Sequence, residues 1–293
     1  MPIGGLCAVR LAIIAVVQNV ITPEQERGFY DSQYAQFLTL PDGALRIDRG
    51  ILEGNIGNPL HPFYERRRLY HEAMRALQAE PIHGKKVLDY GCGPADFGLW
   101  LATEGADVTV LDLSPVAIEL VLRRARASGV TVRGIAGDAS QLDMLSDCEF
   151  DVVFACAALH HTLKYPGAVE ELARIMKPGA RLVLCETWGG NPLLNIARKL
   201  RSMVAGEAEE QGEDIILSRN ELRMLDPFFS EVQVSTQNLL AMGKRVLRGR
   251  FDRTWARLFV DTLEAIDSAI LAVAPPLRNW CGEAVITGRR RQA

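Results

Sequence analysis

From residue 86 onward, short apolar runs alternate with stretches in which apolar residues recur every three or four positions, a rhythm that predicts βαβ units and a parallel sheet. Lys86–Tyr90 reads as a buried strand, followed by a glycine-rich loop and a helix through Leu99 and Leu101. Ala106–Leu111 reads as a second strand that ends at Asp112. Ser114-Pro115 then opens a helix, with serine as its cap, proline in its first turn, and Ile118, Val121, Leu122 and Ala125 as its inner stripe. Thr131–Ala136, Phe150–Ala155 and Arg181–Cys185 supply three more strands, and Phe150–Ala155 is apolar enough to be covered on both faces. Val169, Leu172, Ala173 and Met176 mark a helix expected to stop at Lys177-Pro178-Gly179.

Outside this block the rhythm loosens. Residues 188–228 read as helical, with an acidic patch from Glu207 to Asp214 and a capping box at Ser218 and Glu221. Phe229–Thr236 and Glu283–Gly288 read as strands. Between them Trp255, Leu258, Phe259, Thr262, Leu263, Ile266 and Ile270 trace a long amphipathic helix whose stripe is expected to be core. Tyr70, Ala73, Met74 and Leu77 give a further helix ahead of the sheet. The organisation expected is a tail and helical cover over 1–84, an α/β core over 85–187, and the rest of the sheet over 188–293, with substrate-covering insertions at 188–228 and 237–280.

Composition narrows the class. With 293 residues, 48% hydrophobic and 24% charged, the chain falls in the globular range, and its net charge of -3 provides no global field for nucleic acid. Six cysteines without a CxxC pair fit a reduced, cytoplasmic setting, and no histidine or cysteine stands at metal-ligand spacing. Leu6–Val17 is apolar apart from Arg10, with that one arginine as its basic flank and no small-residue cleavage site after it, and it is too short to span a membrane, so it reads as a tail ahead of the fold or an over-long start assignment, with export as the alternative. Lys244, Arg245, Arg248, Arg250, Arg253 and Arg257 form a basic run read as a solvated face, with contact to an anionic acceptor or an anionic membrane surface as the sharper alternatives. Arg289 to Arg291 read as a disordered end.

The informative segment runs from Val87 to Gly98 as strand, glycine turn and helix. Gly91 and Gly93 let the backbone bend and a ligand approach it. A dinucleotide fingerprint would place a third glycine at 96, where the chain has Asp96, and Asp89 adds a carboxylate before the turn. Two carboxylates repel a pyrophosphate but hold a cation, such as the ammonium of S-adenosylmethionine. Asp112 suits ribose hydroxyls at the end of the second strand, as it would in a nicotinamide enzyme. Gly137-Asp138-Ala139 presents a carboxylate and a backbone amide for adenine, and His160-His161 follow the fourth strand.

Val87–Gly93, Val110–Ser114, Gly137–Ala139, Phe150–Ala155, Leu159–His161 and the Arg174–Gly179 turn together resemble the class I S-adenosylmethionine-dependent methyltransferases, in particular their small-molecule branch of quinone-biosynthesis and natural-product enzymes. The resemblance spans residues 86 to 186. It implies a doubly wound, Rossmann-like seven-stranded sheet, mostly parallel with one antiparallel strand. It also implies that Asp89 and the Gly91-Cys92-Gly93 backbone hold the methionine part, Asp112 the ribose, and Leu113, Asp138 and Ala139 the adenine. Ala155 would line the wall near the sulfonium, and Tyr34 would close over the methionine carboxylate. Ala95 departs from the family, which often has glycine there.

The function expected is methyl transfer from S-adenosylmethionine to a small organic acceptor, leaving S-adenosylhomocysteine. Alignment dominates such a displacement, so a base is optional; His160 and His161 are the candidates. The alternatives are a methyltransferase acting on RNA or protein, a nicotinamide oxidoreductase, and a cofactor-binding protein without turnover.

Overall fold

A computed structural model describes residues 22–205 and 216–292. The expectations for Leu6–Val17 and for Glu207–Asp214 lie outside the described residues. Seven strands form one sheet: β1 Lys86–Tyr90, β2 Asp107–Asp112, β3 Arg133–Ala136, β4 Phe150–Cys156, β5 Met176–Thr187, β6 Phe229–Gln237 and β7 Glu283–Arg290. Their order is β3-β2-β1-β4-β5-β7-β6, and β7 runs antiparallel to both of its neighbours. This is the doubly wound sheet with one antiparallel strand that the sequence led us to expect.

The principal helices are α1 Pro23–Ala35, α2 Arg49–Gly57, α3 Arg67–Leu77, α4 Asp96–Thr103, α5 Pro115–Ala127, α6 Ala168–Ile175, α7 Pro192–Ala205 and α8 Thr254–Val273. Side chains alternate across each strand, and the sheet divides two cores. On one face Val87, Val108, Val110 and Phe154 pack with residues of α2, α3, α4 and α5, including Ile56, Met74, Trp100 and Val121. On the other, Leu88, Tyr90, Val153 and Ala155 pack with Val169 and Leu172 of α6. Ser114 caps α5 as expected, its Oγ accepting from Ala117 N at 3.0 Å. The strand order reverses between β1 and β4, which opens a crevice at their carboxyl ends.

Several expectations need correction. Met176 belongs to β5, not to the helix before it, and Lys177-Pro178-Gly179 lies within that strand, across a register shift between Phe150 and Val152 of β4. The capping box at Ser218 and Glu221 opens a single turn, Arg219–Leu222. Arg289 and Arg290 are paired in β7 instead of trailing free, and Arg291 N donates to Phe228 O.

The apolar stripe of α8 is not core. Trp255 is 53% exposed and Leu258 62%, with Phe259 and Ile266 also exposed, whereas Asp267 on the opposite side is buried. Asp267 accepts from Leu239 N, Leu240 N and Ala241 N at 2.7, 2.8 and 3.0 Å. Glu264, on the same side, holds Lys244 and Arg67. The side of α8 that faces the protein carries Ala256, Val260 and Leu271 together with Asp267, whose carboxylate satisfies backbone amides buried there.

The basic run divides accordingly. Lys244 is buried and Arg245 half-buried against carboxylates, Arg248 pairs with Glu65 at 2.7 Å, and Arg250 and Arg253 stay exposed. Among the described residues no helix is long and apolar enough to cross a membrane.

Candidate active site

The glycine turn after β1 is shaped by backbone conformation. Gly91 and Gly93 have φ of 62° and 50°, in the left-handed region that suits glycine. A Cβ at Gly91 would come 2.4 Å from Ala158 Cβ, and one at Gly93 2.8 Å from the Tyr34 hydroxyl oxygen. Gly91 has no room for a side chain, whereas at Gly93 a side chain would have to displace the Tyr34 hydroxyl. Ala95 adopts φ 55° and ψ 39°, so the position where the resemblance implied glycine is left-handed with alanine in it.

Two buried carboxylates flank this turn. Asp89 Oδ2 accepts from Gly98 N in α4 at 3.1 Å. Burial pushes its carboxyl well above the ordinary range, and neighbouring Asp112 and Asp96 add to the shift, while the Gly98 hydrogen bond opposes it. Asp112 Oδ2 accepts from Gly93 N at 2.8 Å and its Oδ1 from Ser114 N at 2.9 Å. Burial raises its carboxyl too, against those two hydrogen bonds.

Asp96, which was expected to share in repelling a pyrophosphate, is instead paired with Arg124, Oδ1 to Nη2, at 2.8 Å. Asp89 and Asp112 are then the carboxyls at the turn that are held by backbone amides and not by a cation. Cys92 is enclosed, and burial holds its thiol well above the ordinary value, which fits a packing residue and not a nucleophile.

These groups border one cavity of about 340 Å³ in the crevice. Of the residues singled out in the sequence, Tyr34, Asp89, Gly91, Cys92, Gly93, Asp112, Leu113, Asp138, Ala139 and His161 line it. Asp138 also accepts from Ser140 N at 2.8 Å, the turn role that its position after glycine allows.

Ala155 and His160 are not in the lining. Ala155 points into the opposite core, because alternation along β4 turns Phe154 and Cys156 toward the cavity instead. His160 is buried with its Nδ1 2.8 Å from Glu186 Oε2, while Glu186 Oε1 accepts from Ala158 N and Leu159 N at 3.2 and 3.0 Å. His161 stands at the cavity wall, its Nδ1 3.1 Å from Glu26 Oε1. Burial would raise the Glu26 carboxyl, but His161 and nearby positive charge hold it below the ordinary value.

Sequence reasoning missed Glu26, Tyr30, Phe63, Arg66, Tyr70 and Phe97, which also line the cavity. They come from α1, α3, α4 and the segment between α2 and α3. The lining runs from Pro23 to Tyr165, so no described residue of 188–228 or 237–280 is part of it. Helix α1 is fixed over the site by Asp31, whose Oδ1 lies 2.5 Å from Ser114 Oγ.

Residues 87–179 match the methyltransferase domain family. Over 131 residues the chain is 34% identical to a ubiquinone biosynthesis O-methyltransferase of Pectobacterium atrosepticum, covering 45% of this chain and 52% of that protein. It is also 34% identical over 106 residues to a demethylmenaquinone methyltransferase of Clavibacter sepedonicus, covering 36% and 42%. The chain thus spans about half the length of the curated relatives it matches. The crystal structure of the YcgJ protein of Bacillus subtilis superposes with a TM-score of 0.55 at 20% identity, over 76% of this chain and 100% of that one, a likeness of fold. Residues 87–179 therefore match a methyltransferase domain, and the similarity to methyltransferases is confined to about that part of the chain.

Proposed function

We propose that this protein moves a methyl group from S-adenosylmethionine to a small organic acceptor. The observation that carries the reading is the meeting of Asp89, Asp112 and Asp138, from three successive strand ends, on one cavity whose glycine turn admits no Cβ at Gly91. A buried carboxylate with a raised pKa gains most from a cation, and an amino-acid ammonium fits that need. The positive-φ turn lets the backbone approach such a ligand closely. Asp112, fixed by two amides, keeps acceptor capacity for ribose hydroxyls, and Asp138 with Ala139 offers polar partners to adenine.

The sulfonium supplies an already activated methyl group. What remains for the chain is to bind, align and exclude water, and alignment is worth about 7–11 kcal/mol of barrier. Helix α1 covers the crevice from above, and the aromatic wall of Phe63, Tyr70, Phe97 and Phe154 suits an apolar acceptor over a polymer. His161 is the histidine placed to take a proton from the acceptor. His160 is assigned to holding the segment after β4 through Glu186.

The test is calorimetry followed by mass spectrometry. S-adenosylhomocysteine should bind where NADH does not, and Asp89→Ala should weaken that binding by about tenfold or more. Labelled methyl transfer to candidate phenols, quinols and aromatic acids then identifies the acceptor. Binding of NADH in place of S-adenosylhomocysteine would overturn the assignment.

A further inference from the structure

Part of the cavity wall is a run of aromatic rings that starts beside Asp89, whose register partner on β4 is Phe154. Phe63 and Tyr70 centroids are 4.9 Å apart, Tyr70 and Phe97 5.7 Å, and Phe97 and Phe154 5.1 Å. One cation stands in this apolar wall. Arg66 donates through Nε to Glu283 Oε1 at 2.9 Å, and its guanidinium carbon lies 5.8 Å from the centre of the Tyr70 ring. Its Nη2 is buried and has no hydrogen-bond partner among the described residues. A buried charged donor left unmade is costly, so an unmade one beside a cavity marks where a ligand atom belongs.

The charge behind Arg66 says what kind of atom. Glu283 is shared: Asn238 Nδ2 donates to it at 2.6 Å and Arg245 Nη2 lies 3.6 Å away. Glu65 is taken by Arg248 at 2.7 Å, and Glu264 by Lys244 at 3.2 Å and Arg67 at 2.8 Å, with Asp261 also on Arg67. Arg66, Arg67, Lys244, Arg245 and Arg248 thus face Glu65, Asp261, Glu264 and Glu283, leaving one positive charge uncompensated. Arg66 is the cation among these that lines the cavity, and its enclosed Nη2 is the donor left without a partner. A neutral carbonyl would satisfy the donor but not the charge; an anionic oxygen does both and makes the stronger hydrogen bond.

We infer that the acceptor is an apolar, ring-bearing molecule with a carboxylate, and that Arg66 Nη2 is the group that pairs with it. The inference rests on the methyltransferase reading of the same cavity and adds a substrate class to it. Arg66 is then a specificity residue that fixes which end of the acceptor faces the methyl donor. It takes no part in the transfer itself.

The probe pair is 2-naphthoate and 2-naphthamide, equal in shape and different in charge, titrated calorimetrically into the full chain saturated with S-adenosylhomocysteine. The acid should bind about tenfold more tightly than the amide, the preference expected of one buried charge-assisted hydrogen bond. Arg66→Met should reduce the preference to within about twofold, and Arg66→Lys should retain part of it, with S-adenosylhomocysteine affinity unchanged in both. Equal binding of acid and amide to the unmodified protein, no binding of the acid, or a preference that survives Arg66→Met overturns the inference. The first two outcomes need no variant to fold. Failure of S-adenosylhomocysteine to bind the unmodified protein is a separate result and overturns the underlying reading instead.

Discussion

Asp112 and Gly93 are joined by a 2.8 Å hydrogen bond from the glycine amide to Oδ2, so the carboxylate at the end of β2 sets the shape of the turn after β1. One residue thereby ties the end of β2 to the glycine turn after β1. Asp112→Ala should reduce S-adenosylhomocysteine affinity by about tenfold or more and cost roughly 1–3 kcal/mol of stability, because two buried amides lose their acceptor. Calorimetry and chemical denaturation read the two effects separately. Unchanged affinity would detach the turn from cofactor binding.

The raised pKa of Asp89 gives a signed pH dependence. A carboxyl raised in the folded state favours folding below its unfolded pKa, and that contribution is lost as pH rises through the folded value. A bound ammonium requires the ionised form. Affinity for S-adenosylhomocysteine should therefore increase with pH over a range above the ordinary carboxylate pKa, with protons released on binding. Titrations in buffers of different ionisation enthalpy count those protons. Zero release throughout that range would mean that Asp89 is already ionised and not the group that meets the ligand.

Gly91→Ala tests the turn by steric means. The added Cβ meets Ala158 Cβ at 2.4 Å and the backbone sits at φ 62°, so the variant should lose about 1–3 kcal/mol and bind cofactor poorly. Gly84, with φ 72° but open space around a built Cβ, is the control: Gly84→Ala should cost about 1 kcal/mol and leave cofactor affinity intact. Equal effects on binding would remove the turn's special role.

His160 and His161 should behave differently. His160→Gln disturbs a buried contact with Glu186 and should appear first as a lower melting temperature. His161→Gln should leave melting and cofactor affinity close to unchanged and reduce kcat about 10²–10⁴-fold on an acceptor that must lose a proton. The pH–rate profile of His161→Gln should lose its acidic limb. An unaltered profile would leave alignment as the whole of the chemistry.

The convergence of Asp89, Asp112 and Asp138 on one cavity was legible because they lie at strand ends, and strand ends follow from local patterning. Asp89, Asp112 and Asp138 each close a β-run in a repeating order, so their convergence follows once the order is recognised. The aromatic wall with Arg66 was not legible. Arg66 and Glu283 are 217 positions apart and carry no local signal of each other. Ala155 was misplaced by one step of a period-two alternation, which sends the neighbouring side chain to the opposite face. On α8 the periodicity correctly gave a helix with two unlike sides, but it cannot say which side turns inward; distant Lys244, Arg67 and three backbone amides decided that.

Strand β7 follows every other strand in chain order, yet it lies between β5 and β6 and begins with Glu283. Every cavity-lining residue is synthesised well before it. During translation, the nucleotide pocket can therefore take shape while Arg66 still lacks its main counterion and β6 has no strand beside it. A fragment stopping at Gly282 would contain the whole family match and still be a different molecule, with an acceptor end whose electrostatics had never been completed.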